Sequence, residues 1–222
     1  MKATTTLAST EAPDGSLLVL QEHDGDFFMR IDGVALMSTT ACASEQTMAE
    51  LACDELESAT PHVLIGGLGF GFTLRRVLQL VPDKAQVTVA ELLPVIVDWN
   101  RTHLKDVNGD LLDDMRVTIE QMDVYDVLKN CPPRSFDAIL LDVDNSPDPL
   151  VQGGNVRLYS NRGLRIVQAA LAKHGKVVFW SANEDARFER SLGKVFRKVE
   201  AVPAKSYPKA KRFTHILYVA SH

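Results

Sequence analysis

The chain has 222 residues, of which 45% are hydrophobic and 24% charged, an ordinary composition for a folded globular domain. Its formal net charge of −5 argues against a broad basic surface for nucleic acid, and no apolar run reaches the roughly 18 residues that a membrane span needs. The three cysteines share neither a metal-binding nor a disulfide-scaffold spacing, so we expect a reducing, cytoplasmic setting with no membrane partner.

The first part of the chain predicts a small β-structure. Residues 17–37 hold two Asp-Gly pairs between short apolar runs, which is typical of tight hairpin turns because glycine accepts positive φ. We therefore expect residues 1–43 to form an N-terminal extension with a small β-meander. Residues 44–58 then place apolar side chains on one helical face, with Ser44 as the expected N-cap.

From residue 62 onward, short β-branched runs alternate with amphipathic helical stretches. Parallel strands need crossover connections, so this alternation predicts a doubly wound, Rossmann-like α/β domain with helices on both faces of the sheet, spanning residues 44–222. The final run, residues 213–221, follows a turn-rich segment without a helix between them. We expect that run to join the sheet antiparallel to a neighbouring strand.

Four glycines mark the turn between the first parallel strand and its helix: Gly66, Gly67, Gly69 and Gly71. In such folds the crevice at the carboxyl ends of the strands binds ligands, and glycine allows the backbone to approach them closely. The spacing fits a dinucleotide or a nucleoside thioether such as S-adenosylmethionine. Tight packing of the turn would explain the same glycines without any ligand.

Two acids follow the next strands. Glu91 ends the second strand, where a carboxylate can accept hydrogen bonds from both ribose hydroxyls. Asp123 ends the third strand and opens a helix, which suits contact with an adenine amino group or a structural N-cap.

A polar cluster then follows a buried strand, in which Asp142, Asp144 and Asn145 come directly after an apolar run. Carboxylates at that place are poor structural choices unless chemistry or a cation requires them. Histidines at 62, 103, 174 and 215 are scattered without metal-ligand spacing, and we expect no metal.

These motifs together resemble the spermidine synthase family, the polyamine aminopropyltransferases. "VLIGGLGFGFTLRRVL" is similar to the family's GGGDGG segment, "VTVAELLPVIVD" to its "VEID" strand, and "MDVYDVL" to its "GDG" turn. "FDAILLDVDNSP" resembles the catalytic stretch "YDVIIVDSSDP", and "LYSNRGLRIVQAAL" the helix that follows it. The order and spacing are kept from about residue 17 to about residue 182.

The resemblance implies a fold of the S-adenosylmethionine-dependent methyltransferase type and transfer of an aminopropyl group from an adenosyl sulfonium donor to a small-molecule amine. It implies that the four glycines, Glu91 and Asp123 bind the donor, and that Asp142, assisted by Asp144, takes the proton of the amine. It further implies a homodimer and an acceptor site with Glu45, Asn145 and Tyr159.

Departures from the family pattern concern the donor tail and the acceptor. Gly69 stands where the family has an aspartate, so repulsion of the α-carboxylate of intact S-adenosylmethionine is lost, and both the intact and the decarboxylated donor stay open. Asn145 replaces a second aspartate. Met48 and Ala49 replace a Tyr-His pair, which puts ordinary putrescine binding in doubt.

Three alternatives remain at this point. The first is a methyltransferase using intact S-adenosylmethionine, although Ile65 stands where such enzymes usually carry an acid before the glycine motif. The second is a non-catalytic homologue that kept only the nucleoside pocket, and the third is an NAD-dependent oxidoreductase.

Overall fold

The computed structural model describes residues 3–143 and 156–222. Within these residues the chain forms a four-stranded antiparallel sheet and a mixed seven-stranded sheet. None of the helices in this part of the chain is both long and apolar enough to cross a bilayer.

The four-stranded sheet is the predicted meander, with one more strand than expected. Its strands follow one another in chain order: β1 (Thr5–Glu11), β2 (Leu17–His23), β3 (Asp26–Ile31) and β4 (Val34–Ser38). Both Asp-Gly pairs form the expected hairpin turns, with positive φ at Asp24, Gly25, Asp32 and Gly33. β1 was not predicted because its sequence TTLASTE is polar and four of its seven residues are exposed, which weakens the alternation that marks a strand.

Helix α1 (Ala43–Cys53) has Cys42 at its N-cap position, two residues before the predicted N-cap Ser44. The expected N-cap role of Ser44 is therefore wrong. The Ser44 hydroxyl instead donates to Oε2 of Glu45 at 2.6 Å, a local partner that competes with capping.

The larger sheet alternates with helices as predicted. Its strands are β5 (His62–Gly66), β6 (Gln86–Ala90), β7 (Val117–Glu120), β8 (Phe136–Leu141), β9 (Leu171–Ser181), β10 (Lys198–Ala204) and β11 (His215–Ser221). Its helices are α2 (Phe72–Leu80), α3 (Pro94–Arg101), α4 (Lys105–Asn108), α5 (Val124–Asn130), α6 (Val156–Tyr159), α7 (Asn161–Ala170) and α8 (Ala186–Gly193), with a 3-10 turn at Leu111–Asp113.

Strand order in this sheet is β10-β11-β9-β8-β5-β6-β7. β5 pairs in parallel with β6 on one side and β8 on the other, so the chain reverses its direction of winding at β5. That switch point is where doubly wound sheets open a crevice at the carboxyl ends of their strands.

The end of the chain adds an antiparallel hairpin. β11 pairs antiparallel with both β9 and β10, which confirms the prediction for residues 213–221. β10 was not predicted. It is an edge strand that carries Pro203 and alternates exposed with half-buried residues, so its sequence lacks the apolar run of a central strand.

Helices cover the sheet on both faces. On one face, the meander and helices α1, α2 and α3 pack into a common core that includes Leu20, Met29, Met48, Ile65 and Val77. On the other face, α5, α7 and α8 cover a second core. The boundary near residue 43 stays a prediction, and the first core joins the side chains of both sheets.

One buried hydroxyl ties α8 to the sheet. Tyr218 is completely buried in β11, and its hydroxyl accepts a 2.6 Å hydrogen bond from the backbone N–H of Asp185, the N-cap of α8. We expect Tyr218→Phe to lower the free energy of unfolding by about 1–2 kcal/mol in urea titrations, because it leaves that N–H without its acceptor. Tyr207→Phe is the matched control, since Tyr207 is 52% exposed. Equal effects of the two substitutions would contradict this account.

Candidate functional site

A cavity of about 180 Å³ lies between the carboxyl ends of the parallel strands and the meander. Its wall contains six of the residues singled out from the sequence: Glu45, Gly67, Gly69, Glu91, Asp123 and Asp142. The structure thus brings together side chains that are up to 97 positions apart in the sequence, between residues 45 and 142. The remaining wall is mostly apolar.

Gly67 makes the closest approach between the glycine loop and the adjacent strand end. A Cβ at this position would lie 2.5 Å from the carbonyl oxygen of Asp142, and the residue has φ +91. Its N–H donates to the carbonyl of Ala90, and the N–H of Asp142 donates to Gly66 at 3.1 Å. Only glycine satisfies both constraints, so the residue fixes the loop against β8.

Gly66 and Gly71 do not belong to the cavity wall. Gly66 packs between Val124 and Leu141, where a Cβ would come within 3.0–3.2 Å of their side chains. Gly71 has φ +78 and caps α2, and a Cβ there would lie 2.9 Å from Leu111. Their positions show structural roles, and their predicted part in donor binding stays a prediction.

Glu91 is 7% exposed and holds two backbone N–H groups. Oε2 accepts from Leu68 at 2.9 Å, and Oε1 accepts from Leu93 at 2.8 Å. The carboxylate therefore joins the glycine loop to the start of α3. Each carboxylate oxygen can accept more than one hydrogen bond, so this arrangement is compatible with ribose hydroxyls as additional donors.

Asp123 has the structural role that the sequence offered as its alternative. Its Oδ1 caps α5 by accepting from the N–H of Tyr125 at 2.8 Å, and its Oδ2 pairs with Arg157 at 2.8 Å. Asp123 also lies on the cavity wall, next to Met122. Contact with adenine stays a prediction that these bonds do not exclude.

Asp142 is the first residue after β8 and lies on the cavity wall with Val143. Its backbone bond to Gly66 places it beside the glycine loop. Asp144 and Asn145 lie outside the described residues, so their predicted roles stay predictions.

Glu45 enters the cavity from the first turn of α1. Burial raises the pKa of its carboxyl, partly offset by the hydrogen bond from Ser44. Met48 and Ala49, which replace the family's Tyr-His pair, are completely buried in the core and do not line the cavity. Among the described residues, that replacement therefore alters packing behind the site and not its surface.

Tyr159, a predicted acceptor contact, is also absent from the described wall of the cavity. Its ring packs edge-on against Phe188 with centroids 5.2 Å apart, and its hydroxyl donates to the carbonyl of Val143 at 3.4 Å. It thus contacts the segment that follows Asp142.

Two residues that the sequence did not assign to the site lie on its wall. Met37, from β4, places its sulfur 3.2 Å from the position that a Cβ of Gly69 would take. Trp180, more typical of a core residue by sequence, lies at the end of β9 with its ring 4.7 Å from that of His215. The register of β8 and β9 would have revealed Trp180. Leu141 pairs with Phe179, so the next residues of the two strands, Asp142 and Trp180, lie side by side. No sequence signal connects Met37 to Gly69.

Two exposed apolar side chains on the cavity wall could contact a flat ring such as adenine. Leu92 and Met122 are 41% and 42% exposed and follow the ends of the second and third parallel strands. Within the part of the chain that the structure describes, no group of three or more His, Cys, Asp or Glu side chains is arranged to hold a metal ion.

The fold and site define a doubly wound α/β domain of the S-adenosylmethionine-dependent methyltransferase type, with an acid-lined cavity at its switch point. The family model of the spermine/spermidine synthase domain matches residues 42–208, more than half of the chain. The chain therefore belongs to the spermine/spermidine synthase family.

Curated relatives agree with this assignment. The chain is 36% identical over 118 residues to a polyamine aminopropyltransferase of Mycobacterium tuberculosis, covering 52% of the chain and 22% of the relative. It is 30% identical over 137 residues to a polyamine aminopropyltransferase of Oceanobacillus iheyensis, covering 55% and 26%. The matches thus span about a quarter of the length of these relatives.

Solved structures share the fold over nearly the whole chain. A spermidine synthase from Thermotoga maritima superposes with a TM-score of 0.71 at 21% identity, covering 97% of this chain and 72% of that one. A spermidine synthase in complex with the transition-state analogue AdoDATO superposes with a TM-score of 0.75 at 22% identity, covering 97% and 73%.

The contact at Gly67 generates a stability prediction. We expect Gly67→Ala to lower the free energy of unfolding by about 3 kcal/mol, because it adds a clash with a backbone oxygen to the cost of a positive φ. Gly33→Ala is the control: Gly33 has φ +80 but nothing within 4 Å of its Cβ position, so only about 1–2 kcal/mol should be lost. Urea titration measures both, and equal losses would contradict the proposed clash.

Proposed function

We propose that this chain transfers an aminopropyl group from decarboxylated S-adenosylmethionine to a small amine. The observation that carries the proposal is the convergence of Glu91, Asp123 and Asp142 on one cavity beside a glycine loop, with Glu45 facing them from α1. The family assignment and the aminopropyltransferase names of the relatives support this reaction over methyl transfer and over a non-catalytic homologue.

The donor is proposed to bind at the strand ends. Its ribose hydroxyls donate to Glu91, and its adenine lies between Leu92 and Met122 with its amino group at Asp123. The sulfonium then lies near Gly67 and Asp142, which the backbone contact holds together. Four carboxylates on the wall favour a cationic sulfonium and a cationic amine over neutral analogues.

The chemical step is a displacement at carbon. The lone pair of the amine forms a C–N bond with the aminopropyl carbon next to the sulfonium, and the C–S bond breaks. The electron pair of the C–S bond goes to sulfur, which leaves as part of neutral methylthioadenosine. An alkyl ammonium has a pKa near 10.4, so freeing its lone pair at pH 7 costs roughly 4–5 kcal/mol. Asp142 is proposed to bind the ammonium and accept the proton during attack, and then to release it to solvent.

Glu45 is proposed to bind the acceptor. Its carboxyl is partly removed from water, and the Ser44 hydroxyl that donates to it is neutral, so its charge is poorly compensated. A bound ammonium would supply the missing positive charge. The Trp180 ring adds an aromatic wall of the kind that amines also favour.

Discrimination between donors depends on the wall around Gly69. Met37 faces this residue with a neutral thioether, so no charge at that contact repels the α-carboxylate of intact S-adenosylmethionine. The decarboxylated donor is the one that the proposed reaction requires. A homodimer and a cytoplasmic location, both taken from the resemblance and composition, belong to the same proposal, and light scattering of the purified chain tests the first.

The activity is tested by supplying each donor, radiolabelled in the group to be transferred, with a panel of diamines and polyamines. We expect labelled aminopropyl in the amine and release of methylthioadenosine with the decarboxylated donor. Asp142→Asn should lower kcat by about 10²–10⁴-fold, the contribution of a general base.

Asp83→Asn, an exposed carboxylate away from the cavity, is the matched control and should leave kcat unchanged. Methyl transfer from the intact donor, or tight methylthioadenosine binding without turnover of any amine, would overturn the proposed reaction.

Glu45 gives a pH-dependent prediction. Because burial raises the pKa of its carboxyl, the folded state binds this proton more tightly than the unfolded state does. The wild type therefore loses stability as the pH rises from the ordinary pKa of glutamate, about 4.3, through the raised folded value. We expect Glu45→Gln to melt at a higher temperature than the wild type at pH 7, with the difference vanishing below that window.

The same substitution should raise the KM for the amine by about tenfold, since one charge-assisted contact is lost. Glu57→Gln, at an exposed position between α1 and β5, is the control for both measurements. Glu45 does not bind the acceptor if its substitution changes the melting temperature but leaves the KM unchanged.

A further inference from the structure

The glycine loop, residues 67–71 between β5 and α2, depends on contacts from outside it to stay ordered. Three of its residues, Gly67, Gly69 and Gly71, have positive φ within five positions. Glycine loses more conformational freedom on folding than any other residue, so such a loop is poorly ordered unless outside contacts hold it. On the cavity side, Glu91 holds the N–H of Leu68.

Behind the loop, a buried amide of α3 holds it from the opposite side. Asn100 is 2% exposed, and its Nδ2 donates to the carbonyl of Gly69 at 2.9 Å and to that of Ile96 at 2.8 Å. Both partners are carbonyl oxygens that can only accept, so the amide must present its nitrogen to them. Its oxygen is then turned away from the loop.

The same logic fixes the next residues. Oδ1 of Asn100 accepts from Nδ2 of Asn108, which is itself 8% exposed at the end of α4. Oδ1 of Asn108 in turn accepts from the guanidinium of Arg75 at 3.0 Å, and Arg75 also donates to the carbonyl of Val107. We call Arg75, Asn108 and Asn100 the amide relay. The hydrogen bonds of the amide relay all run in one direction: Arg75 donates to Asn108, Asn108 donates to Asn100, and Asn100 donates to the carbonyl of Gly69.

We propose that the amide relay is a positioning device for the donor, in which Asn100 holds the glycine loop in its binding conformation before the donor arrives. This inference rests on the proposed function, because it takes the cavity as the donor site. Asn100 does not line the cavity and is not a catalytic residue. Its effect is to remove the ordering cost that the donor would otherwise meet on binding.

The test is Asn100→Asp, which keeps the size of the side chain and its acceptor for Asn108 but removes both N–H donors, one to Gly69 of the loop and one to Ile96 of α3. We expect methylthioadenosine to bind at least about tenfold more weakly by calorimetry, because the Gly69 carbonyl loses its buried hydrogen bond and faces a carboxylate oxygen instead. Hydrogen exchange at the amides of Leu68 and Gly71, both hydrogen-bonded in the loop, should accelerate selectively. At saturating donor, kcat and the KM for the amine should not change.

Two further variants separate positioning from general destabilisation. Val167→Ala truncates a completely buried residue on the other sheet face and should lower overall stability without changing methylthioadenosine affinity. Asn108→Ala keeps the contacts between Asn100 and the loop and should shift loop exchange and affinity in the same direction as Asn100→Asp, by less. It also provides the comparison if Asn100→Asp does not fold.

Two results would overturn the inference: loop exchange that Asn100→Asp leaves unchanged, or faster loop exchange with unaltered methylthioadenosine affinity. An equal loss of affinity in Val167→Ala would do the same. If the wild type itself does not bind methylthioadenosine, the proposed function fails, and the exchange data still show whether the amide relay holds the loop.

Discussion

The contact between Gly67 and the carbonyl of Asp142 is the constraint on which the rest of the site depends. A Cβ at Gly67 would lie 2.5 Å from that oxygen, and the N–H of Asp142 bonds back to Gly66, so β5 and β8 end in a fixed mutual position. The loop that would approach the sulfur of a donor and the acid that would receive the amine are therefore set by one backbone packing contact. Helix α2 begins only five residues later, at Phe72, which leaves little freedom between the contact and the rest of the loop.

The acids on the cavity wall differ in how their charge is held. Backbone N–H groups hold Glu91, and a helix N-terminus and Arg157 hold Asp123, so both are compensated within the fold. Glu45 has a neutral hydroxyl from Ser44 and a raised pKa, so it gains most from a cation in the cavity. The proposed division between donor and acceptor follows this difference. The compensated acids orient a ribose and an adenine through hydrogen bonds, whereas the poorly compensated Glu45 attracts an ammonium.

Periodicity and turn chemistry were enough to predict the doubly wound sheet, the two Asp-Gly hairpins and the antiparallel final strand, because each depends on local sequence. They missed two edge strands: β1, whose sequence is polar, and β10, which carries Pro203 and lacks the apolar run of a central strand. The positions of polar and glycine residues after the predicted strands also indicated that they converge, since the topology alone brings the carboxyl ends of parallel strands to one edge of the sheet. The residues in question are Gly67, Gly69, Glu91, Asp123 and Asp142. The contacts of Asn100 and Met37 with the glycine loop could not be predicted from the sequence, because they depend on how α3 and the meander pack onto the loop.

The meander illustrates why local sequence leaves the specificity of this site open. Its inner side chains share a core with the α/β sheet, so the wall opposite Gly69 is set by packing between two sheets and carries no motif of its own. With glycine at residue 69, the space is filled by Met37, whose sulfur stands 3.2 Å from the missing Cβ. Met37 thus occupies the space beside Gly69 without supplying a charge. A flexible thioether adapts to donors of slightly different shape, whereas a carboxylate would select by charge. In the proposed reaction, the choice of donor therefore depends on the meander as well as on the glycine motif, which by itself would only let an adenosyl group approach.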